Sequence, residues 1–170
     1  MPLTRVSVTF LLLCAAGVTA QNLARADFSG AWAMDARRSE SAHQDVPIGP
    51  VNLVITQDAS EIAIETTRKE SKASAVFHEI LKYRLDGTEL TMVGDGGSKV
   101  TTKARWDGPK LVTETTRNIQ GSTVTTLYVQ SLAPGAREMT IEKSLTVQHG
   151  YQFEGAKTTG RGTDIFVKSR

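Results

Sequence analysis

The strongest constraint on the fold is a two-residue alternation of apolar and charged side chains that runs, between turns, from about residue 81 to residue 142. Successive side chains of a β-strand point to opposite faces, so this period indicates strands with one buried face. If the residues flanking the Asp-Gly turns face inward, the charges of these segments fall on the other face: Lys82, Arg84, Glu89, Lys103, Arg105, Glu114 and Glu142. A register error of one residue would place all of them inside. The alternation therefore predicts an interior without Lys, Arg, Asp or Glu over these segments, failing first at Lys143.

Repeated turn sequences divide this part of the chain into hairpins. Tyr83–Leu90 and Ala104–Leu111 both contain an Arg, a large apolar residue, Asp-Gly, and a Leu three residues after the Gly. Asp-Gly between alternating segments indicates a hairpin, because Gly accepts the positive φ that the tight turn requires. A looser copy lies at 132–135, and polar turns are expected at 94–98 and 118–122.

The segment Phe28–Asp35 is predicted to be the first strand. Its large side chains and Gly30 fall on alternate positions, so Trp32 faces inward with the other apolar residues. Gly30 leaves room for the indole ring to lie across other strands. We expect this strand to plug one end of a barrel, with Gly30 and Trp32 in structural roles.

The next segment, 36–50, is rich in charge and Ser and ends in two nearby prolines, Pro47 and Pro50. Prolines interrupt regular elements, so a long loop is predicted, with one helical turn over Ser39–Gln44. In a barrel, such a loop would lie across an open mouth or a closed end.

Alternation predicts further strands along the rest of the chain, at 51–56, 61–66, 77–85, 88–93, 99–106, 110–117, 123–132, 138–147 and 163–168. With no strong helical pattern, the predicted fold class is all-β, an antiparallel up-and-down β-barrel of about 8–10 strands. One alternative stays open. Apolar residues between 70 and 81 also fit one face of a short helix.

The beginning of the chain has the pattern of a secretory signal peptide. Arg5 precedes an apolar run from Val6 to Val18, and small residues lead to an expected cleavage before Gln21. Residues 1–20 are therefore predicted to be removed, 21–26 to form a flexible leader, and 27–170 to form one domain. We therefore expect the protein to be exported to the periplasm or secreted from the cell. Since Cys14 is the only cysteine and lies in the signal, the mature chain has no disulfide.

Charge and motif content narrow the function classes. Removal of Arg5 with the signal leaves 150 residues and changes the net charge from +2 to +1, with both signs interspersed. Such a surface lacks the basic stripe of nucleic-acid binders, and no remaining apolar run reaches the length of a membrane span. His43, His78 and His149 have no metal-site spacing. No catalytic motif is present, and parity predicts no interior carboxylate pair, so we expect neither an enzyme nor a cofactor.

The predicted inner face combines apolar side chains with hydroxyls, and its candidate ligand-lining residues are Tyr83, Thr102, Trp106, Thr113, Thr126 and Tyr128. Buried polar groups need partners, which are each other, water or a ligand. One hypothesis is an exported binder of a small, largely neutral apolar molecule. The alternative is a non-catalytic structural or protein-interaction module with a packed interior. An acidic ligand group would have to lie at the rim, near Arg117 or Lys143, because an unpaired buried charge is costly.

Short motifs give the chain a family resemblance. Phe28–Trp32 contains Gly-x-Trp, and turn motifs follow at Thr56–Asp58, Leu85–Gly87 and Trp106–Gly108. In this arrangement the chain resembles the lipocalin-like (calycin-type) proteins, and more closely small exported bacterial barrels. The resemblance implies an antiparallel barrel around a cavity that often holds small apolar molecules. It also implies a basic side chain from near the end of the chain, Lys168 or Arg170, stacked on the Gly-x-Trp ring.

Overall fold

Ten β-strands form nearly all the regular structure in the computed structural model, which describes residues 25–45, 47–70, 76–94, 97–150 and 157–169. A short 3-10 helix, Glu40–His43, confirms the helical turn predicted in the long loop. The strands are β1 (Gly30–Met34), β2 (Ile48–Gln57), β3 (Glu61–Glu70), β4 (Val76–Arg84), β5 (Leu90–Val93), β6 (Lys99–Asp107), β7 (Lys110–Ile119), β8 (Ser122–Leu132), β9 (Glu138–Gln148) and β10 (Lys157–Lys168).

All ten strands belong to one antiparallel sheet in the order β4-β3-β2-β1-β10-β9-β8-β7-β6-β5. Consecutive strands of the chain therefore pair with each other, except β4 and β5, which lie at the two ends of the sheet order. Strand β1 also pairs with β10 and brings the two ends of the chain together. The sheet curls into a nearly closed barrel. The predicted all-β, lipocalin-like up-and-down architecture is confirmed. The described ranges contain no helix of the length and apolarity that crossing a membrane requires.

Strand β4 decides the ambiguity between helix and strand over 70–81. Residues 76–81 lie within it and pair with β3, so they are not helical. Residues 71–75, like the predicted signal peptide and the leader up to residue 24, lie outside the described residues. Strand β2 begins at Ile48 rather than after Pro50, which corrects the expectation that both prolines lie in the loop. A register irregularity between Ile48 and Val51 accommodates Pro50 in the strand.

The first strand packs as its alternation predicts. Trp32 is 1% exposed and Phe28 is fully buried. The Trp32 indole nitrogen donates a hydrogen bond to the Phe28 carbonyl oxygen at 2.9 Å. Across the β1–β10 pair, the Lys168 ammonium lies 5.2 Å from the centre of the Trp32 ring. Of the two basic residues that the resemblance offered, Lys168 is therefore the one near the ring, and Arg170 lies outside the described residues.

Gly30 is required by this contact. Its φ is +131°, and a Cβ built there would lie 2.5 Å from Cε of Lys168. A side chain at position 30 would therefore strain the backbone and displace the lysine from the Trp32 ring.

Most predicted turns are confirmed. Asp107 lies opposite Lys110 in the β6–β7 hairpin, with Gly108 at φ +57° between them. The turn between β7 and β8 has Gln120 and Gly121 at positive φ.

The expected hairpin at Asp86-Gly87 is wrong in one respect. The turn forms, with Gly87 at φ +86°, but β4 and β5 are the two ends of the sheet rather than a paired ladder. The Asp86 carboxylate accepts bonds from the Thr88 N–H and hydroxyl at 2.8 and 2.7 Å, so the turn is stabilised locally. Instead of a ladder, the Thr102 hydroxyl of β6 donates to the Lys82 carbonyl of β4 at 2.5 Å. We call this β4–β5 boundary the seam.

The predicted inside–outside assignment is correct in the middle of the barrel and incomplete at one end. Residues expected inside are buried there: Tyr83, Leu85, Val100, Thr102, Ala104, Leu111, Thr113, Thr115, Gln130, Met139 and Ile141. Farther along the same strands, however, the inward alternation continues through Arg117 and Lys143, and through Glu79 and Asp164 on β4 and β10. The expectation of an interior without charge is therefore wrong at this end. Charges are tolerated there because each finds an opposite charge within 4 Å.

Trp32→Ala should lower the free energy of unfolding by about 3–5 kcal/mol, because it removes a fully buried aromatic side chain. Chemical denaturation would measure the change. Val54→Ala is the control, since Val54 is 46% exposed on the outer face of a neighbouring strand. Similar losses in both variants would contradict the structural role of Trp32.

Gly108→Val should destabilise the protein more than Thr91→Val does. A β-branched residue at φ +57° is strained even though the space around Gly108 is open, whereas Thr91 is an exposed strand residue. The midpoints of thermal unfolding would show the difference. Equal midpoints would mean that the Gly108 turn does not need a positive φ.

Candidate functional site

A partly open cavity of about 140 Å³ lies inside the barrel. Most of its wall area is apolar, from alternate residues of several strands that point inward: Val51, Leu53, Ile64, Leu81, Ile141 and Phe166. The polar atoms of the wall come from Ser41, Thr66, Arg68, Tyr83, Tyr128, Gln130, Lys143 and Asp164. We call this space the inner chamber. Its composition, apolar with a few polar groups, is typical of small-molecule sites.

A second space of about 340 Å³ adjoins it on the side of the mouth. Ser41, Ile48, Tyr128 and Lys143 line both spaces, so the two are neighbours across these residues. We call this second space the outer chamber. It is also bordered by two glycines at alternate positions of β10, Gly160 and Gly162. Because glycine has no side chain, the wall of β10 leaves open space where other strands would fill it.

Ion pairs surround the mouth. The Lys143 ammonium lies 2.6 Å from the Asp164 carboxylate. Ser41, on the 3-10 turn, donates to the same carboxylate from its backbone N–H at 3.0 Å and from its hydroxyl at 2.9 Å, and its hydroxyl also accepts a bond from Lys143. This cluster fastens the long loop to the barrel. The loop therefore lies at the mouth, one of the two places the sequence allowed.

A second pair joins strands on opposite sides of the seam. The Arg117 guanidinium of β7 makes bonds of 2.8 and 3.2 Å to the two oxygens of Glu79 on β4. Such two-point contacts fix both side chains in direction. The predicted absence of interior carboxylates is thus wrong for Glu79 and Asp164. Each is engaged by a cation, so the two form separate ion pairs.

Gln130 brings a buried amide to the wall of the inner chamber, and this amide is only partly hydrogen-bonded. Gln130 is 1% exposed, and its side-chain nitrogen donates to the Thr113 hydroxyl oxygen at 3.3 Å. Its side-chain oxygen has no hydrogen-bond partner within the described part of the chain. By contrast, the Tyr83 hydroxyl is 2.9 Å from the Thr115 hydroxyl. An unmet buried acceptor costs about 1–3 kcal/mol unless water or a ligand fills it.

The structure separates the predicted lining residues into three groups. Tyr83 and Tyr128 border the inner chamber, and Thr126 borders the outer one. Thr102 and Thr113 are buried within the wall and bonded to Lys82 and Gln130. Trp106 lies beside Phe28, with ring centres 6.3 Å apart, and borders neither chamber. That any of the six contacts a ligand stays a prediction.

Sequence reasoning missed several residues of the site. Asp164 had a signal, because the inward alternation of β10 passes through it, whereas Lys143 was already expected at the rim. Ser41 had none, since its position depends on how the long loop folds onto the barrel. Among the described residues there is no cluster of three or more His, Cys, Asp or Glu that could hold a metal ion.

No protein-family model matches the chain, and no curated protein matches it in sequence. Solved structures match it at low identity. A biotin-binding protein from chicken is 11% identical, with 86% of this chain and 98% of that chain covered and a TM-score of 0.39. The fluorescent protein UnaG is 16% identical, with 84% and 97% covered and a TM-score of 0.44. At such scores neither similarity indicates a ligand for this chain.

Burial also changes the acidity of the chamber tyrosines. Burial raises the pKa of Tyr83 from 10.0 to about 12, although its hydrogen bond with Thr115 opposes the shift. Burial likewise raises the pKa of Tyr128. Both phenols therefore stay neutral over the whole physiological range and act only as hydrogen-bonding groups.

Tyr83→Phe should reduce the loss of stability at alkaline pH. Between pH 10 and about 12 the unfolded chain releases the Tyr83 proton and the folded chain retains it. In this range Tyr83 therefore lowers the free energy of unfolding by about 1.4 kcal/mol for each unit that the pH rises. Below pH 10 the phenol is neutral in both states, and its stabilising effect is fully present. Denaturation of both proteins from pH 8 to pH 12 would measure it. Parallel curves would contradict a raised pKa for Tyr83.

Proposed function

We propose that this barrel binds a compact, largely uncharged small molecule in its interior. The observation that carries the proposal is the inner chamber, a cavity within the barrel with mainly apolar walls and an unmet hydrogen-bond acceptor at Gln130. In a barrel of this size, an interior can either be filled by side chains or hold one small ligand. The chamber supports the second arrangement, and the alternative of a solid interaction module would require a filled interior.

The volume limits the size of the ligand. An apolar cavity of roughly 150 Å³ holds a benzene molecule, whereas drug-sized ligands occupy roughly 300–1,000 Å³. At about 140 Å³, the inner chamber has room for one ring. A larger ligand would extend past Tyr128 and Lys143 into the outer chamber.

Charge limits its chemistry. Two cations border the inner chamber, Lys143 and Arg68. Lys143 is paired with Asp164 and bonded to Ser41, and the Arg68 guanidinium lies 4.6 Å from the centre of the Phe77 ring. A ligand carboxylate would have to displace Asp164 from Lys143, draw Arg68 away from Phe77, or remain unpaired at low dielectric, and each of these is costly. The favoured ligand is therefore neutral where it is buried, and any acidic group lies at the mouth.

We also propose that the mature protein works outside the cytoplasm, in the periplasm or beyond the cell. The support is the signal-peptide pattern of residues 1–20. Protein recovered from the host's extracytoplasmic fraction should begin at Gln21 when its N-terminus is sequenced. An intact N-terminus in the cytoplasmic fraction would contradict export.

Native mass spectrometry of protein purified from its own host is the direct test of binding. We expect a co-purifying small molecule whose mass is lost on denaturation. Because the chamber is small, its mass should be that of one ring with short substituents. Protein that carries no such molecule and binds no member of a panel of small neutral ring compounds would contradict the proposal.

Leu81→Phe should abolish binding of a ring-sized probe. Leu81 lines the inner chamber, so the larger ring would occupy the space that the probe needs. Toluene should raise the melting temperature of the unmodified protein and leave that of Leu81→Phe unchanged. Ile80→Phe is the matched control, because Ile80 is the next residue on the outer face and is 49% exposed. If Leu81→Phe retains the toluene effect, the probe binds outside the inner chamber.

A further inference from the structure

The side chain of Gln130 gives the inner chamber a polar group that can distinguish one neutral molecule from another. The residue lies near the end of β8, opposite Leu111 on one side and Ile141 on the other. Both neighbours are buried and apolar. A glutamine at such a position is costly unless its amide is bonded, because the surrounding wall cannot replace the water that it loses.

Only one end of the amide has its bond. The nitrogen donates to the Thr113 hydroxyl oxygen, and Thr113 is itself 1% exposed, so this contact fixes the plane of the amide. The oxygen has no partner in the described ranges, although the residue borders the chamber. The nearby Tyr83 hydroxyl is engaged with Thr115. A donor that enters the chamber, which Gln130 borders, can therefore supply the missing bond.

Resting on the proposed function, we propose that Gln130 selects ligands that present a hydrogen-bond donor on a single apolar ring, such as phenols and cyclic alcohols. The ring contacts the aliphatic walls, and its hydroxyl donates to the Gln130 side-chain oxygen. Gln130 is thus the specificity-determining residue of the chamber. A ring without a donor leaves this oxygen unmet and loses the corresponding binding free energy.

Three probes of similar shape test the assignment on the unmodified protein by isothermal titration calorimetry. Phenol can donate a hydrogen bond, toluene can neither donate nor accept one, and anisole can only accept one. Phenol should bind about tenfold more tightly than toluene, since one hydrogen bond to a buried acceptor contributes about 1.4 kcal/mol. Anisole should bind no better than toluene.

Gln130→Met tests the residue directly, because methionine keeps the length of the side chain and removes its polar atoms. In this variant the preference for phenol should disappear or reverse, with toluene still bound. Gln148→Met is the control, since Gln148 is an exposed glutamine at the end of β9 and its replacement should leave the phenol preference intact. Should Gln130→Met not fold, the probe series on the unmodified protein still decides the question.

The outcomes separate the two proposals. Toluene and phenol binding with equal affinity would overturn the role of Gln130, because the unmet oxygen is then satisfied by water, and would leave the binding function standing. A preference for anisole would also overturn it, since the amide nitrogen would then face the chamber. If none of the three probes binds, the proposed ring-sized binding site is itself contradicted.

Discussion

The pairing of the first strand with the last is the interaction on which this structure depends. It joins the two ends of the chain within one sheet and places Lys168 against the ring of Trp32. Trp32, Phe28 and Gly30 serve this junction together: the indole is buried, its nitrogen is bonded to the Phe28 carbonyl, and the glycine leaves room for the lysine. Because the chain has a single cysteine, it can form no internal disulfide, and non-covalent contacts of this kind must hold the barrel closed.

The interior changes character along the barrel axis. Its middle is apolar with bonded hydroxyls, and its mouth holds ion pairs that also anchor the long loop through Ser41. This division is physically consistent, because charges can be paired and hydrated near the mouth and are costly deeper in the barrel. The neutral ring that we propose as ligand would lie in the apolar middle, with any polar group directed towards the mouth.

The sequence predicted what depends on local pattern. Alternation identified the inward residues of the middle strands, and the segment around Gly30 and Trp32 was correctly predicted to be the first strand, although its pairing with β10 was not predicted. It could not predict that β4 and β5 separate after Asp86-Gly87, because the turn forms in the same way whether or not its strands pair. Lys143 was expected at the rim, but its partner Asp164 was missed because alternation was not followed along β10 to the mouth. Ser41 depends on long-range folding of a loop, and the unmet oxygen of Gln130 depends on the exact positions of its neighbours, which no periodicity contains.

The seam gives the barrel wall an uneven mechanical strength. The sheet order has nine junctions between neighbouring strands, and all nine are ladders of backbone hydrogen bonds. Eight of them join consecutive strands of the chain, and the ninth joins β1 to β10. Across the seam, the bonds are those of individual side chains, the Thr102 hydroxyl and the Arg117–Glu79 pair. Widening the barrel there breaks a few side-chain contacts, whereas widening it anywhere else breaks a ladder. A shallow groove lies beside the seam, between residues 78–81 of β4 and residues 92–94 at the end of β5. Leu81 borders both this groove and the inner chamber, so the least costly expansion of the wall lies directly beside the inner chamber.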